Sequence, residues 1–300
     1  METNYLTDIM LPLSLAIIML GMGLSLTPGD FQRVVLYPKA TAIGFVNQII
    51  ILPIVGFLLL YIFRVDNPEL AVGIMVLAAC PGGPTSNLIA HISKGDTALS
   101  ITLTAISSFV AVITIPLIVN FSLSHFLAQG EYVPLPIFAT IVRLTLITLI
   151  PVAIGMIIRA YAVSFAKRMD KPVKIVSGVL LFVIIFAAVM TNREIFVQSF
   201  RDIGHIALAL NVTMLMIGYY SSRWMRLNQP QSITISIESG IQNGTLGIMI
   251  ASTLLLNNVI AIPPAIYSLI MFLTAGVIIA YTNLWLKEKK TNLSIEKCEA

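Results

Sequence analysis

Charged residues are scarce in this sequence. Only 11% of its 300 residues are Asp, Glu, Lys or Arg, whereas 57% are hydrophobic, and the mean hydropathy is +0.93. Soluble globular domains carry roughly 25% charged residues, so the composition excludes an ordinary soluble domain. The apolar runs are long enough for helices of about 20 residues, the length that spans a bilayer, and the ten-residue alternation of a membrane barrel is absent. The sequence therefore predicts an all-α integral membrane protein.

Cysteine is also rare. Cys80 lies in a hydrophobic run and Cys298 lies near the C-terminus, so the two are poorly placed to pair, and no metal-site spacing occurs. The net charge of +4 comes from basic residues scattered between the hydrophobic runs, which indicates membrane orientation and no nucleic-acid partner. The histidines share no spacing with Asp or Cys, which argues against a metal site or a catalytic triad; they are His91, His125 and His205.

About nine membrane spans are predicted, with short connections and no soluble domain. Their approximate ranges are 9–27, 39–62, 70–91, 98–125, 135–159, 172–191, 203–223, 230–256 and 261–286. If the C-terminus is cytoplasmic, fourteen of the eighteen Lys and Arg residues lie inside and three outside, with Arg143 within the fifth span. Since these residues favour the cytoplasmic side, we expect a multi-pass protein of the inner (plasma) membrane with its N-terminus outside. The first apolar run has no basic segment before it, so we expect it to be a retained helix.

Two of the predicted spans are interrupted in a similar way. Residues 80–87 read CPGGPTSN and residues 238–244 read ESGIQNG. Prolines remove backbone donors and glycines permit unusual backbone conformations. The number of spans between the two interruptions places the two helices in opposite directions, so we expect an inverted repeat. Interrupted helices at corresponding positions of two halves are typical of a transporter's binding site.

Glu238 is the only acid predicted at membrane depth. A charged group there costs about 2.5–3.5 kcal/mol on insertion scales, which favours a cation ligand or proton carrier over a neutral, hydrogen-bonded glutamate. Freed carbonyls of an unwound turn are hard oxygen ligands, and the helix that resumes after Asn243 directs its positive end at the break. Gly240 and Gly244 fit this opening, although their spacing also fits close helix packing.

A polar stripe begins the fourth predicted span. Ser100, Thr104 and the pair Ser107 and Ser108 fall on one helix face. Membrane Ser and Thr often bond only to their own helix, but Ser100 and Thr104 together, next to an interrupted helix, favour a ligand role. Gln48 in the second span is by itself more typical of an interhelical hydrogen bond.

These segments resemble the signatures of the bile acid:sodium symporter family. The first resemblance is CPGGPTSNLIAHISKGDTALSITLTAIS and the second is IESGIQNGTLGIMIAS; GMGLSLTPGDF at 21–31 and Gln48 before Pro53 also match. The resemblance covers nearly the whole chain. It implies an inverted repeat with two broken, crossing helices in a core domain (spans 39–62, 70–125 and 203–286), beside a panel domain (spans 9–27, 135–159 and 172–191).

The resemblance also implies ligand sets for two sodium ions. The first would be Ser86, Asn87, Ser100, Thr104 and Glu238. The second would be Gln48, Glu238, Gln242 and the carbonyls of Ser239 and Ile241. The substrate is expected near the two half-helix N-termini, at Pro84, Thr85, Ser86, Asn243, Gly244 and Thr245. Some members carry polar residues in the last span where Met271 and Phe272 stand here, so a bile acid and a small carboxylate such as pantoate both remain candidates.

The expected function is sodium-coupled import of an organic anion by alternating access. Two alternatives remain open: a proton-coupled transporter with Glu238 as the carrier, and a membrane receptor that binds without turnover. An intramembrane enzyme acting through Ser86 or Cys80 is not expected, because no base is positioned by spacing. The oligomeric state is not indicated.

Overall fold

The computed structural model describes residues 9–128, 132–191 and 193–299, and that part of the chain is helical with no strand. This confirms the predicted all-α class. The helices are α1 Leu11–Ser25, α2 Pro28–Leu36, α3 Pro38–Val46, α4 Leu52–Ile62, α5 Pro68–Ala79, α6 Pro84–Ile92, α7 Thr97–Phe126, α8 Ile137–Leu144, α9 Ile150–Tyr161, α10 Val163–Thr191, α11 Arg193–Trp224, α12 Gln229–Gly240, α13 Gly244–Met249 and α14 Ile262–Glu299.

Five helical segments are long and apolar enough to cross a membrane, and the described residues contain up to seven if bent pairs are counted. One bent pair joins α1 to α2 at 79°, and the other joins α5 to α6 at 65°. The number of nine spans stays a prediction. The five straight segments are Pro38–Ile62, Thr97–Phe126, Ile137–Tyr161, Ile195–Trp224 and Ile262–Leu284.

Both interruptions occur where the sequence predicts them. α5 ends at Ala79 and α6 begins at Pro84, whose missing N–H costs nothing in a first helical turn. α12 ends at Gly240, and Ile241 is extended before α13 begins. The two connections touch directly, because the backbone N–H of Asn243 donates to the Pro81 carbonyl at 3.0 Å.

Some connections differ from the prediction. The basic segment after the fifth span is helical from Val163, so α10 begins nine residues before the predicted sixth span and only Ala162 separates it from α9. α2 was not predicted as a separate helix. It begins at a capping box in which Thr27 donates its N–H and its hydroxyl to Asp30, at 2.8 and 2.7 Å.

Three short π-helical turns interrupt the spans, at Asn47–Ile51, Thr145–Leu149 and Ile250–Leu254. The first two are followed at once by a helix with proline as its second residue, Pro53 or Pro151. Proline leaves the carbonyl four residues earlier without its usual partner and crowds it, so the helix widens locally.

Several pairs of helices pack closely along their length. α1 packs against α9 and α10, whereas α11 packs against α12 and α14, and α5 against α7. Large apolar side chains remain exposed in stripes four residues apart; on α7 they are Phe109, Ile113, Leu117 and Phe121. Such a stripe suits a lipid-facing surface.

Candidate ion and substrate site

Glu238 lies at the centre of the site, fully buried in the last turn of α12. Ser100 donates to its Oε1 at 2.5 Å and Thr104 donates to its Oε2 at 2.9 Å, both from α7. Gln48 Nε2 lies 3.2 Å from Oε2. Within the described ranges the only ion pair lies inside α2, so no cationic side chain there neutralises this carboxylate.

The hydroxyls around Glu238 are short of protons. Ser100 Oγ and Thr104 Oγ1 also lie 2.8 and 3.1 Å from Asn87 Oδ1. Together with the carboxylate contacts, this makes four oxygen–oxygen contacts of 2.5–3.1 Å. Each hydroxyl has one proton to donate, so two of the four contacts lack a proton. A half-turn of the Asn87 amide, a proton on the carboxyl group or a bound cation would each relieve the repulsion, and these oxygen types suit a hard cation.

The polar stripe of α7 divides into two classes. Ser107 donates to the Leu103 carbonyl of its own helix at 2.6 Å, and Ser108 donates to the Thr104 carbonyl, also at 2.6 Å. Ser100 and Thr104 instead reach Asn87 on α6 and Glu238 on α12. The structure therefore places only the earlier half of the stripe at the acid.

A second group of oxygens lies around the backbone at the end of α12. Gln48 Nε2 donates to the Glu238 carbonyl at 3.0 Å, and Gln242 Nε2 donates to the Ser239 carbonyl at 2.5 Å. The amide oxygens of both glutamines, and the Ser239 hydroxyl, are buried without a hydrogen-bond partner in the described structure. Buried polar atoms rarely lack partners, so these atoms fit a second cation whose other ligands would be backbone carbonyls beside the extended Ile241.

Glycines in the breaks provide space. A Cβ on Gly82 would lie 3.0 Å from Glu238 Oε2 and 3.1 Å from both Gln48 Nε2 and Ser86 Oγ. Gly240 and Gly244 do not have left-handed φ angles; a Cβ on Gly240 would overlap Leu215, and one on Gly244 would overlap Ser268. The close-packing interpretation of these two glycines is therefore the one that the structure supports.

A cavity of about 720 Å³ lies beside the two breaks, between α1 and α10 on one side and α6, α13 and α14 on the other. Five of the six predicted substrate residues line it: Pro84, Thr85, Asn243, Gly244 and Thr245. Ser86 does not line it; this residue is fully buried and donates to the Gly83 carbonyl at 2.8 Å. Met271 and Phe272 also line the cavity, which makes the wall on α14 apolar.

Neutral donors are available in this cavity. Its lining includes no Lys or Arg among the described residues, and His91 is its only titratable side chain. Asn243 Oδ1 accepts the N–H of Leu246 at 3.1 Å, as an N-cap does. Its Nδ2 has no acceptor within the described part of the chain and is free to donate to a ligand.

Two residues that hold the second break were missed by the sequence argument. Asn211 on α11 and Tyr267 on α14 are fully buried, and both donate to the Gly240 carbonyl, at 2.8 and 2.7 Å. Asn211 is the only amide side chain in the predicted seventh span, and a lone amide in an apolar helix could have indicated a buried hydrogen bond. Tyr267 carried none, because tyrosine is common in membrane helices.

Comparison with known proteins agrees with this architecture. The model of the sodium bile acid symporter family matches residues 12–199. An uncharacterized sodium-dependent transporter of Bacillus subtilis is 31% identical over 289 residues, which cover 94% of this chain and 87% of the relative. A rat hepatic sodium/bile acid cotransporter is 30% identical over 272 residues, covering 90% of this chain and 73% of the relative.

A probable chloroplastic sodium/metabolite cotransporter of rice is 31% identical over 268 residues, covering 89% of this chain. The match spans 61% of that relative's length.

Proposed function

Since this chain belongs to the sodium bile acid symporter family, whose members are membrane transporters and not enzymes, we propose that it couples sodium entry to the import of an organic anion. The fully buried Glu238 carboxylate carries the proposal, because neutral oxygen-bearing side chains and no cationic side chain of the described residues surround it. One sodium ion between Ser86, Asn87, Ser100, Thr104 and Glu238 would neutralise the carboxylate and take its oxygen ligands from α6, α7 and α12. A sodium ion is cargo here, moved down its gradient together with the substrate.

A second sodium ion would use the glutamine oxygens. A half-turn of the Gln48 or Gln242 amide would present its unpartnered oxygen in place of its nitrogen. The Glu238 carboxylate and the carbonyls of Ser239 and Ile241 would complete this set. The first ion would then tie α12 to α6 and α7, and the second would tie the end of α12 to Gln48. Sodium would thereby strengthen the existing contact between the two breaks.

The substrate would be an amphipathic organic anion. The cavity is mainly apolar, and its polar groups cluster at the breaks. A carboxylate would accept hydrogen bonds from Asn243 Nδ2 and from the backbone N–H groups of Thr85 and Thr245, without an Arg or Lys. The volume and the apolar wall at Met271 and Phe272 favour a bile acid or another bulky carboxylate over pantoate.

Alternating access would come from movement of a panel (9–27, 135–159 and 172–191) against a core (39–62, 70–125 and 203–286). The packing of α1 with α9 and α10, apart from the α5–α7 and α11–α12–α14 contacts, supports this division. On the far side of the breaks lies a cavity of only about 10 Å³, and its lining includes Met19, Ile115, Leu144 and Leu246. That closed seam would open when the large cavity closes.

Transport into proteoliposomes tests the coupling. We expect uptake of a labelled bile acid to require an inward sodium gradient, and Glu238→Gln to abolish it, because the amide keeps the size of the side chain but removes its charge. Glu69→Gln, at the start of α5, is the matched control and should transport normally. Undiminished uptake without sodium, or by Glu238→Gln, would falsify sodium coupling.

A proton-coupled transporter is the second candidate, because a proton on Glu238 would also reduce the deficit. Protonation of Glu238 adds one proton to a cluster in which two contacts lack a proton. It therefore reduces the repulsion between the oxygens less than a bound cation does. Uptake driven by a pH gradient in sodium-free vesicles would support this alternative. Binding of substrate without exchange across the membrane would instead indicate a receptor.

A further inference from the structure

The carbonyl groups at the end of α12 are all engaged by specific donors. Those of Glu238 and Ser239 accept from glutamine amides of the proposed second sodium set. The next carbonyl, that of Gly240, accepts instead from Asn211 and Tyr267, which belong to no proposed ligand set. A helix leaves its last four carbonyls without helical partners, and here the partners come from three other parts of the chain.

Asn211 and Tyr267 form a pair. Asn211 Nδ2 lies 3.3 Å from the Tyr267 hydroxyl as well as 2.8 Å from the Gly240 carbonyl. Asn211 Oδ1 is buried without a hydrogen-bond partner in the described structure, so the side chain is oriented by its donor end alone. The pair therefore fixes one carbonyl from two helices, α11 and α14.

The same two helices close around the break. Gly240 lies against Leu215 of α11, and Gly244 lies against Ser268 of α14, with no room for a Cβ at either position. Rotation of the Gly240 peptide is thus restrained by packing against Leu215 and by two hydrogen bonds. The carbonyls of Ser239 and Ile241 flank that peptide, so its orientation sets theirs.

We propose that Asn211 and Tyr267 are positioning residues which hold the Gly240 carbonyl and thereby preorganise the Ser239 and Ile241 carbonyls for the second sodium ion. This inference rests on the proposed function, since it assumes that sodium binds at the break. It predicts that the pair determines sodium affinity and ion selectivity, although neither residue touches the ion.

Thermal unfolding of the purified full-length protein tests the proposal. Unfolding would be followed against NaCl concentration, with choline chloride holding the ionic strength constant, and repeated with LiCl. Tyr267→Phe removes one donor and keeps the ring. Asn211→Leu removes the other donor and the unpartnered oxygen and keeps the branched shape of the side chain. Tyr281→Phe, an exposed tyrosine on the same helix, is the matched control.

We expect Tyr267→Phe and Asn211→Leu each to weaken the apparent sodium affinity roughly fivefold or more, the effect of one hydrogen bond. The preference for sodium over lithium should fall as well, because a less rigid set of carbonyls discriminates ion size less well. Tyr281→Phe should match the wild type. A merely structural role predicts equal loss of Tm in sodium and choline with unchanged affinity and selectivity, and that result would overturn the proposal.

The outcomes also separate this proposal from the one it rests on. If the wild type shows no sodium-dependent stabilisation, sodium coupling fails and the positioning role fails with it. If the wild type responds and Glu238→Gln does not, but both positioning variants behave as wild type, only the positioning role is wrong. Because Tyr267→Phe is the milder change, it decides the question if Asn211→Leu does not fold.

Discussion

Two serines on α7 have the same chemistry but opposite surroundings. Ser100 donates toward Glu238 and lies beside Asn87, whereas Ser107, two turns later, donates only to its own helix. Both are fully buried. A comparison of the two therefore separates the effect of the site from the effect of losing a buried hydroxyl.

Ser100→Ala should weaken the apparent sodium affinity by about tenfold or more, because an interaction with a charged group contributes about 1.5–3 kcal/mol and tenfold corresponds to about 1.4 kcal/mol. Ser107→Ala should change it less than twofold. Sodium-dependent thermal stabilisation of the two purified variants measures this. An equal response from both would remove Ser100 from the ligand set.

Individual site residues could be predicted from the sequence where a polar group is rare. Glu238 could be singled out because it is the only acid within the predicted spans, and the structure surrounds it with donors. The choice of Ser100 and Thr104 over Ser107 needed the adjacent break as a second clue. Asn211 and Tyr267 could not be predicted as a pair, since they lie 56 residues apart and only the fold brings them together at the Gly240 carbonyl.

The π turn at Asn47–Ile51 determines where Gln48 points. In this turn the N–H of Leu52 reaches back five residues to Asn47. Pro53 causes the widening, because it has no N–H for the carbonyl four residues earlier. The turn at Thr145–Leu149 has the same arrangement before Pro151, where the N–H of Ile150 bonds to Thr145.

Pro53→Ala should allow regular α-helical bonding and rotate Gln48 away from Glu238, which would lower the apparent sodium affinity severalfold. Pro151→Ala makes the same backbone change in a helix that contributes no ion ligand, so its sodium affinity should stay within twofold of wild type. Titration of sodium by thermal unfolding measures both. If Pro151→Ala weakens sodium binding as much as Pro53→Ala, the π turn is not what orients Gln48.

The elements differ in how well the sequence predicts them. The breaks were predictable because prolines and adjacent glycines interrupt long apolar runs, and both were found at the expected residues. The helical start of α10 was not predictable from the sequence. Its basic residues are typical of a loop between spans, but long basic side chains are equally compatible with a helix that extends out of the membrane. The first two π turns were only weakly indicated by the sequence, where a proline follows a few residues after a polar residue.

For the whole molecule, composition was enough to predict helices in a membrane, and a family resemblance was needed to group the spans into panel and core. Hydropathy gives no information on which helices touch, since every span is apolar. The contact of Asn243 with Pro81 joins segments about 160 residues apart, and only the fold brings them together.

The large cavity should be open to the cytoplasm in this conformation. Its lining extends to Leu26, His91 and Thr97, next to connections that carry Arg33, Lys39 and Lys94 and are therefore predicted to be cytoplasmic. The opposite seam is nearly closed. The positions of the basic residues and the closed opposite side of the cavity thus both predict that it opens to the cytoplasm.

Cysteine labelling measures this directly. In a variant without Cys80 and Cys298, Thr97→Cys at the cavity wall should react with a membrane-impermeant maleimide only after spheroplasts are permeabilised. Asp66→Cys, in the exposed connection between α4 and α5, should react in intact spheroplasts. The four predicted cytoplasmic connections must all lie on the same side of the membrane. Labelling of Thr97→Cys but not Asp66→Cys in intact spheroplasts would therefore reverse the predicted topology of the whole protein. Reaction of Thr97→Cys in intact spheroplasts, with Asp66→Cys also labelled, would instead mean that the cavity opens outward.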